Sequence, residues 1–213
     1  MTSKKIAFIG CSFSSFTTEN VGKNSWTYLL SKKFPQHQYR NYSSGGKGPD
    51  YFRICLTDAK LWNADAVFLT TTYDGRFSSF TGDDGYKFNQ TIVSENYSYL
   101  KHDVFWTSAS RPIGDSFSKQ YKENIATSIT GKQYNDSWYK IAPLLYNFEK
   151  FWLLDFRKTE PFFYNHSNTS VWSILKRYND VAISSTDDHW NLKGNEIVLN
   201  QYILNKNVKT YLT

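Results

Sequence analysis

The residues best suited to chemistry in this sequence lie near its two ends. Ser12 follows a short apolar run and a Gly-Cys pair, while Asp187 and His189 precede a segment of helical periodicity. A serine hydroxyl is a weak nucleophile at neutral pH and needs a base, usually an imidazole that a carboxylate holds in place. The three side chains are therefore candidates for a nucleophile, its base and the carboxylate that orients the base.

Each of these residues also has an ordinary structural interpretation. Glycine and serine are common in turns, so the sequence around Ser12 is also typical of a turn that ends a strand. His189 directly follows two acidic residues, and an acidic helix entrance with a surface histidine would have the same pattern. Asp188 is a second candidate for the carboxylate, and Cys11 is a second candidate for the nucleophile.

The predicted secondary structure would place Ser12 where α/β proteins carry out chemistry. Short apolar runs predict strands at 6–9, 38–42 and 64–72, and apolar residues at helical spacing predict helices at 25–34 and 49–62. Strands that alternate with helices over short connections are typical of a doubly wound, mostly parallel sheet. In such sheets, ligands bind beyond the carboxyl ends of the strands, and Ser12 directly follows the first strand.

The rest of the sequence is less regular. We interpret residues 77–132 as an irregular insertion over the sheet edge, since no period is sustained there. Further elements are predicted as a helix at 136–156, a strand at 161–164, a short helix at 171–178 and a closing helix at 196–204. Neither internal repeats nor linkers are evident, so a single domain over residues 1–213 is expected.

Composition narrows the functional classes. The sequence is 18% aromatic and carries a net charge of +6, but its lysines and arginines are scattered. Nucleic-acid binding is therefore not indicated. Because neither a signal-peptide pattern nor an apolar run of about 20 residues occurs, we expect a soluble protein, cytoplasmic or carried within a particle, without membrane partners. Cys11 and Cys55 are expected to be free thiols.

Three short blocks, in order along nearly the whole chain, resemble the SGNH (GDSL-like) hydrolases. They are Gly-x-Ser after the first strand, a glycine-rich loop at 41–48, and Asp-x-His-x-Asn-x-x-Gly before the last helix. The resemblance implies a three-layer α/β/α, flavodoxin-like sandwich with a central, mostly parallel sheet. It further implies Ser12 as nucleophile, His189 as general base, Asp187 as the residue that orients it, and the N–H groups of Ser12 and Gly46 as the oxyanion hole. No metal or organic cofactor is implied.

The sequence departs from the family pattern in two blocks. Cys11 stands where the family usually has aspartate, and the asparagine of the family's Gly-x-Asn-Asp block is missing from the corresponding region near Tyr73 and Asp74. We expect that region to contribute to substrate binding through Tyr73, Asp74 or Arg76, although Arg76 would equally suit a surface salt bridge.

The function expected from this resemblance is hydrolysis of a short acyl ester, for example an O-acetyl group, on a small molecule or carbohydrate. Two other functions remain open. The Asp-x-His-Trp form is similar to that of SGNH-type polysaccharide O-acetyltransferases, which favours an O-acyltransferase with the same triad. The missing asparagine leaves room for a non-catalytic glycan-binding or structural protein on a decayed hydrolase fold.

Overall fold

A six-stranded sheet forms the centre of this computed structural model, which describes residues 2–15, 23–71, 76–79, 88–101, 105–108, 140–154, 177–184 and 187–213. In the order of the sheet, its strands are β5 (Asn89–Ser94), β6 (Tyr97–Lys101), β2 (Gln38–Asn41), β1 (Lys5–Ile9), β3 (Ala66–Thr70) and β8 (Lys150–Leu154). All neighbours are parallel except β5, which runs antiparallel to β6.

Two further strand pairs lie outside this sheet, and both are antiparallel. One joins β4 (Arg76–Ser79) to β7 (Phe105–Ser108), and the other joins β9 (Ala182–Ser184) to β10 (Asp187–Trp190). The described helices are α1 (Trp26–Lys33), α2 (Pro49–Leu61), α3 (Ala142–Leu145), α4 (Leu192–Ile197), which continues as a π-helical turn (Val198–Ile203), and α5 (Lys206–Leu212).

The central strand β1 divides the apolar core into two layers. Ile6 and Phe8 pack against α1, the π-helical turn and α5 on one face of the sheet. Ala7 and Ile9 pack against α2 and α3 on the other face. Because side chains alternate across a strand, the apolar run Ile6–Ile9 of β1 needs helices on both faces. The arrangement is a three-layer α/β/α sandwich, which confirms the predicted fold class.

The first five predicted elements are confirmed, with small shifts at their ends. Ser25 begins α1 by accepting a hydrogen bond from the backbone N–H of Tyr28, and Pro49 occupies the first turn of α2, where a missing N–H costs nothing. Cys55 lies on the buried face of α2. The starts of α1 and α2 thus follow from single residues, Ser25 and Pro49, that can be recognised in the sequence.

The helix predicted at 136–156 is wrong over the described residues 140–154, which form the short α3 and then strand β8. Phe151 and Leu153 face the α2 core, whereas Trp152 and Leu154 face the α1 core. An apolar run of this kind satisfies a helical spacing and a two-sided buried strand equally well. Residues Lys150–Leu154 form a strand because they pair with β3.

Other differences lie in the less regular part of the chain. Residues 88–101, within the predicted insertion, form the β5–β6 hairpin that extends the sheet beyond β2. The last predicted helix begins at Leu192 and not at 196, and α5 was not predicted. The strand predicted at 161–164 and most of the helix at 171–178 lie outside the described residues, and the single domain remains a prediction.

No helix in the part of the chain that the structure describes is long and apolar enough to cross a bilayer.

A buried histidine, His37, joins the segments before β1 and at the end of α5, at the amino ends of the strands and so on the side of the sheet away from Ser12. The Nδ1 atom of His37 accepts a hydrogen bond from the Lys4 backbone N–H at 3.2 Å, and its Nε2 lies 2.9 Å from the carbonyl oxygen of Leu212. A neutral ring with its proton on Nε2 satisfies both bonds. Burial lowers the pKa of His37 below its ordinary value of 6.5, and nearby Lys4 lowers it further, against opposing effects of the Leu212 carbonyl and Asp65.

Stability should therefore depend on pH through His37. Since its pKa is lower in the folded chain than in the unfolded chain, the unfolded chain binds a proton more readily, and the free energy of unfolding falls as the pH drops below about 6.5. Urea denaturation between about pH 7 and pH 5 should show a smaller fall for His37→Gln, whose amide can make both bonds without titrating. Equal falls in the two proteins would contradict this role.

Candidate active site

Ser12 lies directly beyond the carboxyl end of the central strand β1. It begins a single 3-10 turn, Ser12–Ser14, which the Ser14 N–H closes by donating to the Cys11 carbonyl at 3.0 Å. From β1 the chain crosses first to β2 on one side and later to β3 on the other. Such a reversal of strand order opens a crevice at the carboxyl edge of an α/β sheet. The predicted nucleophile therefore occupies the position where this fold binds ligands.

Gly10 allows the turn to lie tightly against β3. A Cβ atom at this position would lie 1.7 Å from Thr70 Oγ1 and 3.1 Å from Thr70 Cβ. Thr70 Oγ1 in turn hydrogen-bonds Ser14 Oγ at 3.0 Å, and Ser14 Oγ accepts a bond from Trp26 Nε1 at 3.2 Å. Only glycine at position 10 leaves room for Thr70 Oγ1, whose bond to Ser14 holds the turn against β3.

The glycine-rich loop after β2 lies beside the nucleophile. The Ser44 N–H donates to the Gly10 carbonyl at 3.1 Å. A Cβ atom at Gly45 would be 3.8 Å from the Cβ of Ser12. Gly46, the next residue, has a φ of 73°, a conformation that favours glycine. The structure thus brings the loop with the predicted second oxyanion donor against Ser12, and the direction of the Gly46 N–H stays a prediction.

His189 reaches the same place from the other end of the chain. Its ring lies 4.8 Å, centre to centre, from the ring of Phe13, the residue after Ser12. Trp190 packs against Phe13 as well, at 5.0 Å. Asn191 then caps α4 by accepting a bond from the Gly194 N–H at 3.0 Å. The strand that carries His189 therefore packs on the turn that Ser12 begins.

The hydrogen bond that the proposed chemistry requires between Ser12 Oγ and the ring of His189 stays a prediction. Ser12 is 8% exposed, and His189 is partly exposed. Among the described side chains, none hydrogen-bonds the hydroxyl of Ser12. Catalytic hydrogen bonds are often long in structures without substrate and shorten when substrate is bound.

The remaining predicted site residues are placed only in part. Asp187 and Asp188 begin β10, where Asp187 pairs with Ser184, but their side chains lie outside the described part of the structure. Tyr73 and Asp74 lie outside it altogether. Arg76 begins β4, and its backbone alone is described. The orienting carboxylate and the substrate-binding residues thus stay predictions.

Cys11 is poorly placed to act as the nucleophile. Its side chain is 1% exposed and belongs to the α1 core, and its Sγ lies 3.9 Å from the carbonyl oxygen of Thr71. The thiol therefore points into the protein next to β3. Cys55 is buried as well, and burial raises the pKa of its thiol. Both are free thiols.

Two buried asparagines near the site were not singled out from the sequence, Asn41 and Asn195. Asn195 connects the histidine strand to α1: its Oδ1 accepts a bond from the Trp26 N–H at 2.9 Å, and its Nδ2 donates to the Trp190 carbonyl at 2.9 Å. The only signal for either was a polar residue next to a predicted buried element, a pattern that surface asparagines share.

Replacing Asn195 with alanine should lower the free energy of unfolding by about 2 kcal/mol, because the change leaves a buried N–H and a buried carbonyl without their partner. Asn200→Ala is a matched control, since Asn200 lies farther along the same helical segment and its bonds are exposed. Urea denaturation of the two variants measures the difference. Similar losses would show that the buried bonds contribute little.

Comparisons with known proteins bear on the fold. No family model matches the sequence, and no curated protein matches it either. Among solved structures, the chain is similar to one described as the crystal structure of TesA, with a TM-score of 0.53 and 12% sequence identity. The match covers 99% of this chain and 100% of that chain. Such low identity shows the fold alone, and the two chains share a three-layer α/β/α sandwich.

Proposed function

We propose that the protein is a serine esterase that hydrolyses a short acyl ester. The observation that carries the proposal is the packing of the His189 ring on Phe13, the residue that follows Ser12 beyond the carboxyl end of β1. These two segments come from opposite ends of the sequence, since Ser12 follows the central strand β1 and His189 lies within strand β10. The SGNH-like fold supports the same chemistry.

In the proposed mechanism, Ser12 Oγ attacks the carbonyl carbon of the ester while His189 takes up its proton. Asp187 would hold the imidazole in the correct tautomer. The resulting oxyanion accepts hydrogen bonds from the N–H groups of Ser12 and Gly46, each worth about 3–4 kcal/mol of transition-state stabilisation. The intermediate collapses to an acyl-serine as His189 returns the proton to the leaving alcohol. Water, activated by His189, then releases the acid and restores Ser12.

The proposed substrate carries a small acyl group, such as acetyl, on a carbohydrate. The low exposure of Ser12 and the closeness of Gly45, where an added Cβ atom would lie 3.8 Å from Ser12 Cβ, support a small acyl group. The sequence contains 16 tyrosines and 7 tryptophans, and aromatic faces with a polar edge suit sugar rings.

The test is hydrolysis of p-nitrophenyl acetate and an acetylated sugar, with a fluorophosphonate probe to mark the nucleophile. Wild type should turn over both esters, and the probe should label Ser12. Ser12→Ala should lose about 10⁴-fold or more in kcat and lose the label. Cys11→Ala should keep both, since its thiol faces Thr71.

Each other outcome has a definite meaning. Turnover that requires an added sugar acceptor would assign the same triad to an O-acyltransferase. Labelling that moves to Cys11 would overturn the serine mechanism. An inert wild type that the probe does not label would overturn the enzyme proposal and favour a glycan-binding protein on this fold.

A further inference from the structure

A buried polar cluster lies beneath the candidate site, and Asn41 is at its centre. Asn41 is the last residue of β2 and is fully buried. Its Nδ2 lies 2.8 Å from the Ser14 carbonyl oxygen, 2.7 Å from Tyr97 Oη and 3.1 Å from Thr27 Oγ1. Its Oδ1 accepts a bond from the Ser43 N–H at 2.8 Å. The side chain thus donates and accepts at the same time.

These bonds join the two backbone segments that carry the proposed oxyanion donors. The Ser14 carbonyl belongs to the turn that Ser12 begins, and the Ser43 N–H opens the loop that leads to Gly46. The backbone bond from Ser44 to Gly10 links the same segments nearby. One amide group therefore spans the gap between the turn and the loop.

The chemistry of the side chain matters for this bridge. An amide offers N–H donors to the Ser14 carbonyl and an oxygen to the Ser43 N–H. Leucine has a similar volume but makes neither bond. An ionised aspartate could still accept from Ser43, but it would place a negative oxygen against the Ser14 carbonyl. Asparagine satisfies both segments at once.

We infer that Asn41 is a positioning residue for catalysis, which sets the separation between the N–H groups of Ser12 and Gly46. This inference rests on the proposed esterase function. Oxyanion donors act only when they lie about 2.7–3.1 Å from the developing charge, so a shift of the turn against the loop weakens both bonds in the transition state. Asn41 itself lies below the site and acts through the two segments.

The test compares Asn41→Asp and Asn41→Leu with Tyr97→Phe. Tyr97 is a matched control because its hydroxyl bonds Asn41 and Thr27, so Tyr97→Phe perturbs the same cluster while Asn41 keeps its own bonds to Ser14 and Ser43. All are measured as folded proteins, well below their melting temperatures, with p-nitrophenyl acetate and the fluorophosphonate probe. If Asn41→Leu fails to fold, Asn41→Asp carries the comparison, since it is nearly isosteric.

The Asn41 variants should lose about 10- to 100-fold in kcat, with KM changed less than about threefold, and the probe should label Ser12 more slowly in proportion. Tyr97→Phe should lower the melting temperature but keep kcat within about twofold of wild type. A purely structural asparagine would lower only the melting temperature. A folded Asn41 variant with wild-type kcat overturns the inference, while loss of turnover in Ser12→Ala still upholds the esterase. An inert wild type overturns both.

Discussion

Replacing His189 with alanine is expected to lower the kcat of ester hydrolysis by about 10⁴- to 10⁶-fold, the loss typical of removing the general base of a serine triad. Without the imidazole, the Ser12 hydroxyl keeps its proton and attacks poorly. The ring also packs on Phe13, so part of any loss could come from a displaced turn. Circular dichroism and thermal melting of the variant separate that effect from lost chemistry.

His37→Gln is the matched control for this experiment. His37 is buried and hydrogen-bonded, but it precedes β2 and so lies at the edge of the sheet opposite Ser12. Its replacement should leave kcat within about twofold of wild type near pH 7, because its hydrogen bonds to Lys4 and Leu212 lie at the amino ends of the strands, away from Ser12. A His189 variant that keeps more than a tenth of wild-type kcat would contradict the proposed base.

Gly10→Ala is expected to destabilise the protein by about 3 kcal/mol, the upper part of the usual range for an atom forced into a filled space. The new methyl group would lie 1.7 Å from Thr70 Oγ1. That hydroxyl can turn away only by losing its bond to Ser14, and Thr70 Cβ would still lie 3.1 Å from the methyl group, so either the bond is lost or the strand or the turn moves. Urea denaturation measures the loss, and turnover should fall with it because Ser12 begins the displaced turn.

Two further variants test the cause. Gly45→Ala adds the same methyl group at an ordinary contact distance of 3.8 Å from the Ser12 Cβ, so its effect on stability should be small. Thr70→Ala removes the atom that clashes, and adding Gly10→Ala to it should cost much less than adding it to wild type. Equal costs in both backgrounds would locate the strain elsewhere.

The sequence predicted the parts of the fold that local signals determine. Serine and proline mark the starts of α1 and α2, and a wholly apolar run marks β1. The helix prediction was wrong for Lys150–Leu154 because its apolar residues fit both a helical and a strand period, and only pairing with β3 selects the strand. The β5–β6 hairpin was missed because one of its strands is largely exposed and polar.

The candidate site was predictable to a similar degree. Ser12 and His189 stand next to predicted elements, so the packing of the His189 segment on the turn after β1 followed from topology. Asn41 and Asn195 were not predictable, because an asparagine in a sequence does not reveal whether it is buried. Their roles depend on contacts between segments that are far apart in the chain.

The hydrogen bond between Trp26, the first residue of α1, and Asn195 bears on the order in which the protein folds. The Trp26 N–H at the start of that helix is satisfied by Asn195, 169 positions later in the chain. Strands β1, β2 and β3 with their two helices are consecutive and can assemble early, as nearby segments generally do. The turn that holds Ser12 would then exist before His189 and Asn195 dock against it. The candidate site is therefore expected to form in the last step of folding, when the segment with His189 and Asn195 packs on the turn and bonds the first residue of α1.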